Sequence, residues 1–216
     1  MNYFKTQLEN MRYTPLNSNW FFNTVDIPDL ELIKQELIAL EQIAEIKQSN
    51  NKIYSNIYKN IVYKHCPLLK KYLESVNLSQ KFNRILFSKE VILNNNRTVH
   101  VDSYDPTTTS HSLNIPLRDY EDSYTAWYKT DKEQLIDSLQ FGLDPINNFA
   151  FLLLSDAEEI QRYSYATGNA VLVNTTILHK GISDKKTRMI CGIRFFPELT
   201  VSDIKKLGIT DPYKQE

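Results

Sequence analysis

Cysteine is scarce: two residues in 216, Cys66 and Cys191, with no C-x-x-C arrangement between them. That favours two reduced, largely buried thiols over a disulfide or a redox pair. Long apolar runs are missing as well. The longest, Phe149 to Leu154, is far too short to span a bilayer. No apolar segment follows Met1 to Lys5, so no signal peptide is read there, and a cytoplasmic protein is the expectation. Charge of one sign is lacking too. A formal net charge of −1 gives no electrostatic reason to expect DNA, RNA or an anionic membrane as partner. Internal repeats and low-complexity segments are absent, and only five glycines occur.

What remains is the composition of an ordinary globular chain. A hydrophobic fraction of 42% supports a sizeable core, and the length suits one domain. Thirteen tyrosines add an aromatic supply suited to strands and pocket walls.

The first third reads mostly as helix. Trp20, Phe21, Phe22 and Val25 form a short aromatic strand candidate, broken by Pro28-Asp29. Asp29 then suits the N-cap of a helix from Leu30 to about Lys47, where Leu30, Ile33, Leu37, Leu40 and Ala44 recur at helical spacing. A second helix is expected over about Ile53 to Tyr63. A third covers Pro67 to Val76, with Pro67 in its first turn. Residues 1–81 are thus expected to be mainly helical support.

From Phe82 the period changes. Strands are expected over Arg84–Ile92, Thr98–Ser103, Ser112–Leu117, Tyr124–Lys129, Phe149–Leu154, Ala170–Leu178 and Thr187–Phe196. A helical or irregular insert, 131–147, and a polar-aromatic link, Glu158 to Thr167, lie between them, with a turn at Gly168-Asn169. Seven or eight short strands describe an antiparallel sandwich or barrel over 82–197. A short helix, Val201 to Lys206, lies in the tail 198–216. The class is α+β with a mainly β core.

The chemistry concentrates at His100-Val101-Asp102. Residues two apart on a strand point to one face, so His100 and Asp102 can reach one point. His179 closes the later strand-like run. Two imidazoles and one carboxylate on one face of a metal form the ligand set of non-haem Fe(II) oxygenases.

His100-x-Asp102, then His179 77 residues later and Arg188 nine beyond that, resembles the 2-oxoglutarate- and Fe(II)-dependent dioxygenases. Ser-Leu-Asn-Ile-Pro-Leu and Thr-Ala-Trp-Tyr resemble strands of small prolyl-hydroxylase-like and phage-type members. The likeness spans about Phe82 to Phe196. It implies a double-stranded β-helix, a cupin-like jelly roll of two facing four-stranded sheets. It also implies Fe(II) held by His100, Asp102 and His179, with 2-oxoglutarate as cosubstrate and O2 as oxidant. Release of succinate and CO2 would accompany hydroxylation of a substrate, a small molecule or peptide that the residues do not identify. Arg188 suits the far carboxylate of 2-oxoglutarate, since a guanidinium matches a carboxylate bidentately. Arg194 shares its strand parity and is the rival, and Asn114 or Tyr128 can supply a further hydrogen bond. Many relatives have Arg-x-Ser where this chain has Arg188-Met189-Ile190. The alternative is a jelly-roll metal- or ligand-binding protein without oxygenase activity.

Other polar residues read more plainly. His65 reads as a surface or packed histidine, and His111 as a solvated loop histidine near the site mouth. Trp127 reads as a core or pocket-wall aromatic. Lys180, Lys185 and Lys186 read as solvated charges. Substrate selection is expected from the loops 103–111 and 131–147.

Overall fold

Ile33, Leu37 and Leu40, spaced along one helical face, are all buried in α1 (Leu30–Ile43). The computed structural model describes residues 20–43, 54–89, 98–101, 111–129, 142–144, 149–153, 157–183 and 187–210. Asp29 does stand at the start of α1, but with φ 57°, and its backbone carbonyl accepts from the N–H groups of Leu32 and Ile33. Two helices follow, α2 (Lys59–His65) and α3 (Pro67–Ser75), the latter opening on Pro67 as its composition suggests. The Glu36 carboxylate of α1 accepts from the amides of Leu68 and Leu69, which satisfies donors that the first turn of α3 leaves open.

The helix expected from Ile53 forms only from Lys59. Tyr54–Tyr58 is instead β2, paired antiparallel with β3 (Phe82–Lys89) from Tyr54↔Ser88 to Tyr58↔Arg84. Tyrosine and isoleucine favour a pleated surface, and the ladder to β3 outweighs a weak helical pattern.

Two antiparallel sheets of six strands form the body among the described residues. The first runs β1 (Phe22–Val25), β10 (Ala170–Asn174), β5 (His111–Arg118), β12 (Met189–Phe195), β3, β2. The second runs β7 (Gly142–Asp144), β8 (Phe149–Leu153), β4 (Thr98–Val101), β11 (His179–Ser183), β6 (Ser123–Lys129), β9 (Glu158–Ser164). From β3 to β6, and again from β9 to β12, each successive strand lies in the opposite sheet.

Two expectations fail here. The link from Glu158 to Thr167 contains β9, whose alternation of exposed Arg162 and Ser164 with buried Tyr163 is a strand's period. The run from Ala170 to Leu178 is not one strand. Asn174 Oδ1 accepts from the amide and the hydroxyl of Thr176, at 3.0 and 2.7 Å, and this turn takes the chain out of the first sheet. It re-enters as β11 in the second sheet, beginning at His179. The insert 131–147 contributes β7, and the rest of it lies outside the described residues.

Apolar residues fall into two layers. Leu113, Ile115, Cys191, Ile193, Ile85 and Phe87 cover one face of the first sheet and pack with Ile33, Leu37, Leu69 and Leu73 of the helices. Val171, Val173 and Ile190 of that sheet's other face pack with Trp127 and Tyr163 of the second sheet. That second layer lies between the sheets, so each strand presents one inward and one outward face. Cys66 and Cys191 are free and buried, as expected, and burial pushes the Cys66 thiol up to about 12.

The chain's last helix, α4 (Val201–Lys206), begins with a capping box between Thr200 and Asp203. Burial alone would raise the Asp203 pKa, but hydrogen bonds from Lys206, Lys81 and Thr200 outweigh it and hold the carboxyl well below its usual range. Among the described residues no helix is long and apolar enough to cross a membrane.

Candidate functional site

Three neighbouring strands of the second sheet, β4, β11 and β6, carry His100, His179 and Trp127 on one line. His179 is the direct cross-strand partner of His100 on one side and of Trp127 on the other. Directly opposed residues of an antiparallel pair share a face, and Trp127 belongs to the layer between the sheets. The histidine positions therefore lie on the inward face.

His179 is buried, with 7% exposure. Its Nδ1 lies 2.8 Å from the Ile177 carbonyl. A carbonyl only accepts, so Nδ1 carries the proton, and in the neutral ring Nε2 carries the lone pair. Metal-ligating histidines take this arrangement when the second nitrogen donates to a backbone carbonyl.

The turn before His179 is fixed from several directions. Asn174 Nδ2 donates to the Trp20 carbonyl, and Trp127 Nε1 donates to the Asn174 carbonyl at 3.0 Å. The Tyr128 amide donates to the Leu178 carbonyl. These buried bonds set where β11 starts. Nothing local in the run from Ala170 to Leu178 signals them.

Asp102 follows β4 at once and lies outside the described residues, and of His100 only the backbone register is described. Among the described residues no three His, Cys, Asp or Glu side chains gather as a metal site. By residue type the set of two imidazoles and a carboxylate fits Fe(II), and the His179 tautomer is the one that ligation through Nε2 needs.

Across the interior, the first sheet presents polar groups. Asn114 on β5 accepts from Ser112 Oγ at 2.6 Å and donates to the Tyr165 hydroxyl at 3.0 Å. That hydroxyl lies 2.9 Å from Thr125 Oγ1 on β6, so the network bridges both sheets. Arg188, one residue before β12 and 4% exposed, holds its guanidinium 5.7 Å from the Tyr165 ring centroid. Gly192, opposite Asn114, leaves a bare floor: a Cβ there would lie 2.9 Å from Ser112 Oγ and 3.3 Å from Asn114 Oδ1. Arg194 Nε would be 3.7 Å from the same point. The strip thus holds neutral donors and acceptors with two guanidiniums beside it, Arg188 by Tyr165 and Arg194 by Gly192, a lining that suits a carboxylate-bearing ligand.

The strand direction separates the two arginines. The chain runs away from His179 along β11 and returns along β12, so Arg194 comes back toward the His179 end while Arg188 stays at the other. Ser112, Thr125 and Tyr165 were not recognised from the sequence. The alternation of Tyr163 and Tyr165 was the available signal for the last of these.

Tyr128 is not brought to this group. It alternates with inward Trp127, and its neighbours are Tyr124, Glu159 and Arg162. Burial first, then the charge of Glu159, raises its pKa. Arg162 lies 3.9 Å over the Tyr124 ring on that outer side. His111 is no loop residue either: it opens β5 and lies against Trp20 at 4.8 Å between ring centroids. Burial pushes its pKa down to about 4. Lys180 sits within β11 opposite Ala126, half-buried, whereas Lys185 and Lys186 and the loop 102–110 lie outside the described residues. His65 is half-buried at the end of α2, in keeping with a packed histidine.

No family model matches the chain, and no curated protein matches it in sequence. Among solved structures, a Pseudomonas putida prolyl-4-hydroxylase aligns over 87% of this chain and 97% of its own, at 10% identity and a TM-score of 0.45. SnoK, a non-heme alpha-ketoglutarate-dependent carbocyclase from nogalamycin biosynthesis, aligns over 97% of this chain and 96% of its own, at 13% identity and a TM-score of 0.45. The alpha-ketoglutarate-dependent epimerase SnoN of the same biosynthesis aligns over 88% and 83%, at 7% identity and a TM-score of 0.42.

Proposed function

We propose that this chain is an Fe(II)- and 2-oxoglutarate-dependent dioxygenase, a hydroxylase built as a single domain on a double-stranded β-helix. The alternation of successive strands between two sheets supports the β-helix reading, with β1 and β2 extending one sheet and β7 and β8 the other. His100, Asp102 and His179 hold the metal. The observation that carries this is the cross-strand pairing of His100 with His179, His100 standing two positions before Asp102 in the chain.

Bound iron and 2-oxoglutarate supply the oxidative chemistry, which consumes O2 and releases succinate and CO2. The protein's part is to bind, orient and keep water out. Ile177 fixes the His179 ring through Nδ1, which aims Nε2 inward. Arg188 takes the far carboxylate of 2-oxoglutarate, held in place against Tyr165. Asn114, tied to Ser112 and Tyr165, would offer the bound cosubstrate hydrogen bonds. Gly192 leaves room for it. Trp127 and Ile190 line the layer between the sheets and exclude solvent. The substrate is a small molecule or peptide admitted at the metal end, and a cytoplasmic setting suits the two reduced cysteines.

Anaerobic calorimetry with Fe(II) and 2-oxoglutarate tests the reading, followed by succinate measurement after admitting O2. Metal-dependent 2-oxoglutarate binding and O2-dependent succinate are the expected results. A protein that binds neither metal nor cosubstrate is instead a jelly-roll binding module.

A further inference from the structure

Glu41 breaks two local rules at once. It stands in the last turn of α1, where the helix dipole disfavours a carboxylate. Its side chain is also only 7% exposed, next to the buried Leu37 and Leu40 of the same helix. Burying a carboxylate is costly, and an apolar side chain of similar volume packs such a place as well or better. A residue that breaks local rules in this way points to a role beyond packing.

The partner of Glu41 is Arg118, the last residue of β5, whose Nη2 donates to Glu41 Oε2 at 2.7 Å. The same nitrogen lies 3.7 Å from Met189 Sδ. Arg118 and Met189 are cross-strand partners at the first residue of β12. Between Met189 and Ile190 the register shifts by one, from Arg118 to Pro116. Pro116 has no N–H for the ladder, and such an irregularity is where a sheet accommodates proline. The ladder is disrupted at that point. Arg188 comes next, one residue outside the strand, 4% exposed, with its guanidinium 5.7 Å from the Tyr165 ring centroid. Its direction therefore depends on how Met189 is held.

We propose that Glu41 is a positioning residue for the cosubstrate site: through Arg118 it fixes Met189 at the register shift and so aims Arg188 into the interior. Glu41 touches no ligand itself. Arg118 is 46% exposed, so the pair adds little to stability, and its effect falls on position instead. Naming 2-oxoglutarate as the anion that Arg188 receives rests on the oxygenase reading; the coupling of Glu41 to Arg188 does not.

E41L and E41Q in the full-length chain test this. Calorimetric titration of 2-oxoglutarate into Mn(II)-loaded protein should show E41L binding roughly tenfold more weakly than wild type. Mn(II) affinity and the urea midpoint should stay near wild type. E41Q, whose amide oxygen still accepts from Arg118, should fall between the two, and it serves alone if E41L does not fold. In ligand-free protein, hydrogen exchange at Arg188 Nε, read by NMR, should be several-fold faster in E41L. Unchanged 2-oxoglutarate affinity in the variants overturns the proposal. So does a parallel fall in stability, Mn(II) affinity and 2-oxoglutarate affinity, which marks a general structural role. A wild type that binds no 2-oxoglutarate defeats the oxygenase reading, and the exchange rate then decides: faster exchange in the variants upholds the coupling, and equal exchange overturns it.

Discussion

His100 and His179 are direct backbone partners across β4 and β11, although they stand 79 positions apart in the chain. Any ligand that needs two imidazoles finds both positions on one inward face, with Trp127 completing the row. The fixed Nδ1 proton on His179 adds a defined lone-pair direction at one of the two.

His179→Ala should weaken Mn(II) binding by about 100-fold or more, beyond the range typical of altering a ligand's supporting partner. Calorimetric titration of Mn(II) into wild type and variant checks this. Metal at about 100 times its dissociation constant should stabilise the wild type by about 2.7 kcal/mol, a rise of about 5–10 °C in melting temperature that chelator reverses.

Asn174→Ala should cost about 1–3 kcal/mol, because the Thr176 hydroxyl and amide lose a buried acceptor. Metal affinity should fall with it, since the turn that delivers His179 loosens. Urea unfolding and Mn(II) titration on the same variant read the two effects separately.

Gly192→Ala places a methyl 2.9 Å from Ser112 Oγ and against the Asn114 amide oxygen. Overpacking of this kind costs roughly 1–3 kcal/mol, and 2-oxoglutarate affinity should fall about tenfold by the arithmetic of a 1.4 kcal/mol loss. The double variant Gly192→Ala/Ser112→Ala, which removes the closest atom, should recover most of the stability. Chemical denaturation of the two proteins decides it.

His111 should make folding sensitive to mild acid. Its folded-state pKa lies near 4, below the usual value of 6.5, because burial against Trp20 penalises the charged ring. The unfolded chain therefore binds more protons between those values, and stability rises with pH across that window. The contribution is complete above about pH 6.5 and is lost as pH falls toward 4. A loss of about 2–3 kcal/mol between pH 7 and 4.5 is expected. In His111→Phe that slope should flatten, as read from urea midpoints at the two pH values.

The helices α1, α3 and α4 were legible early. Ile33, Leu37 and Leu40 announce α1, Pro67 opens α3, and Val201 to Lys206 forms as written, because a helix's pattern and caps are local. The parity that puts Gly192 and Arg194 on one strand face was legible for the same reason, while Asp102, which the spacing pairs with His100, lies outside the described residues.

Pairing was not. β2 looked helical until β3 offered it a ladder, and β9 looked like a link until β6 took it as an edge. An apolar run from Ala170 to Leu178 carries no mark of which sheet each half joins; the Asn174 turn and the partners waiting in each sheet decide that. Tyr128 and Asn114 looked alike as strand polar residues, yet one faces outward with Arg162 and the other inward with Tyr165. The sequence alone determined which side chains of a strand share a face. Only the tertiary structure determined which face looks inward, and so which residues meet: His100 with His179, and Arg84 with Arg194. Periodicity is local to a segment, whereas register and sheet membership come from burial and hydrogen bonding between segments far apart in the chain.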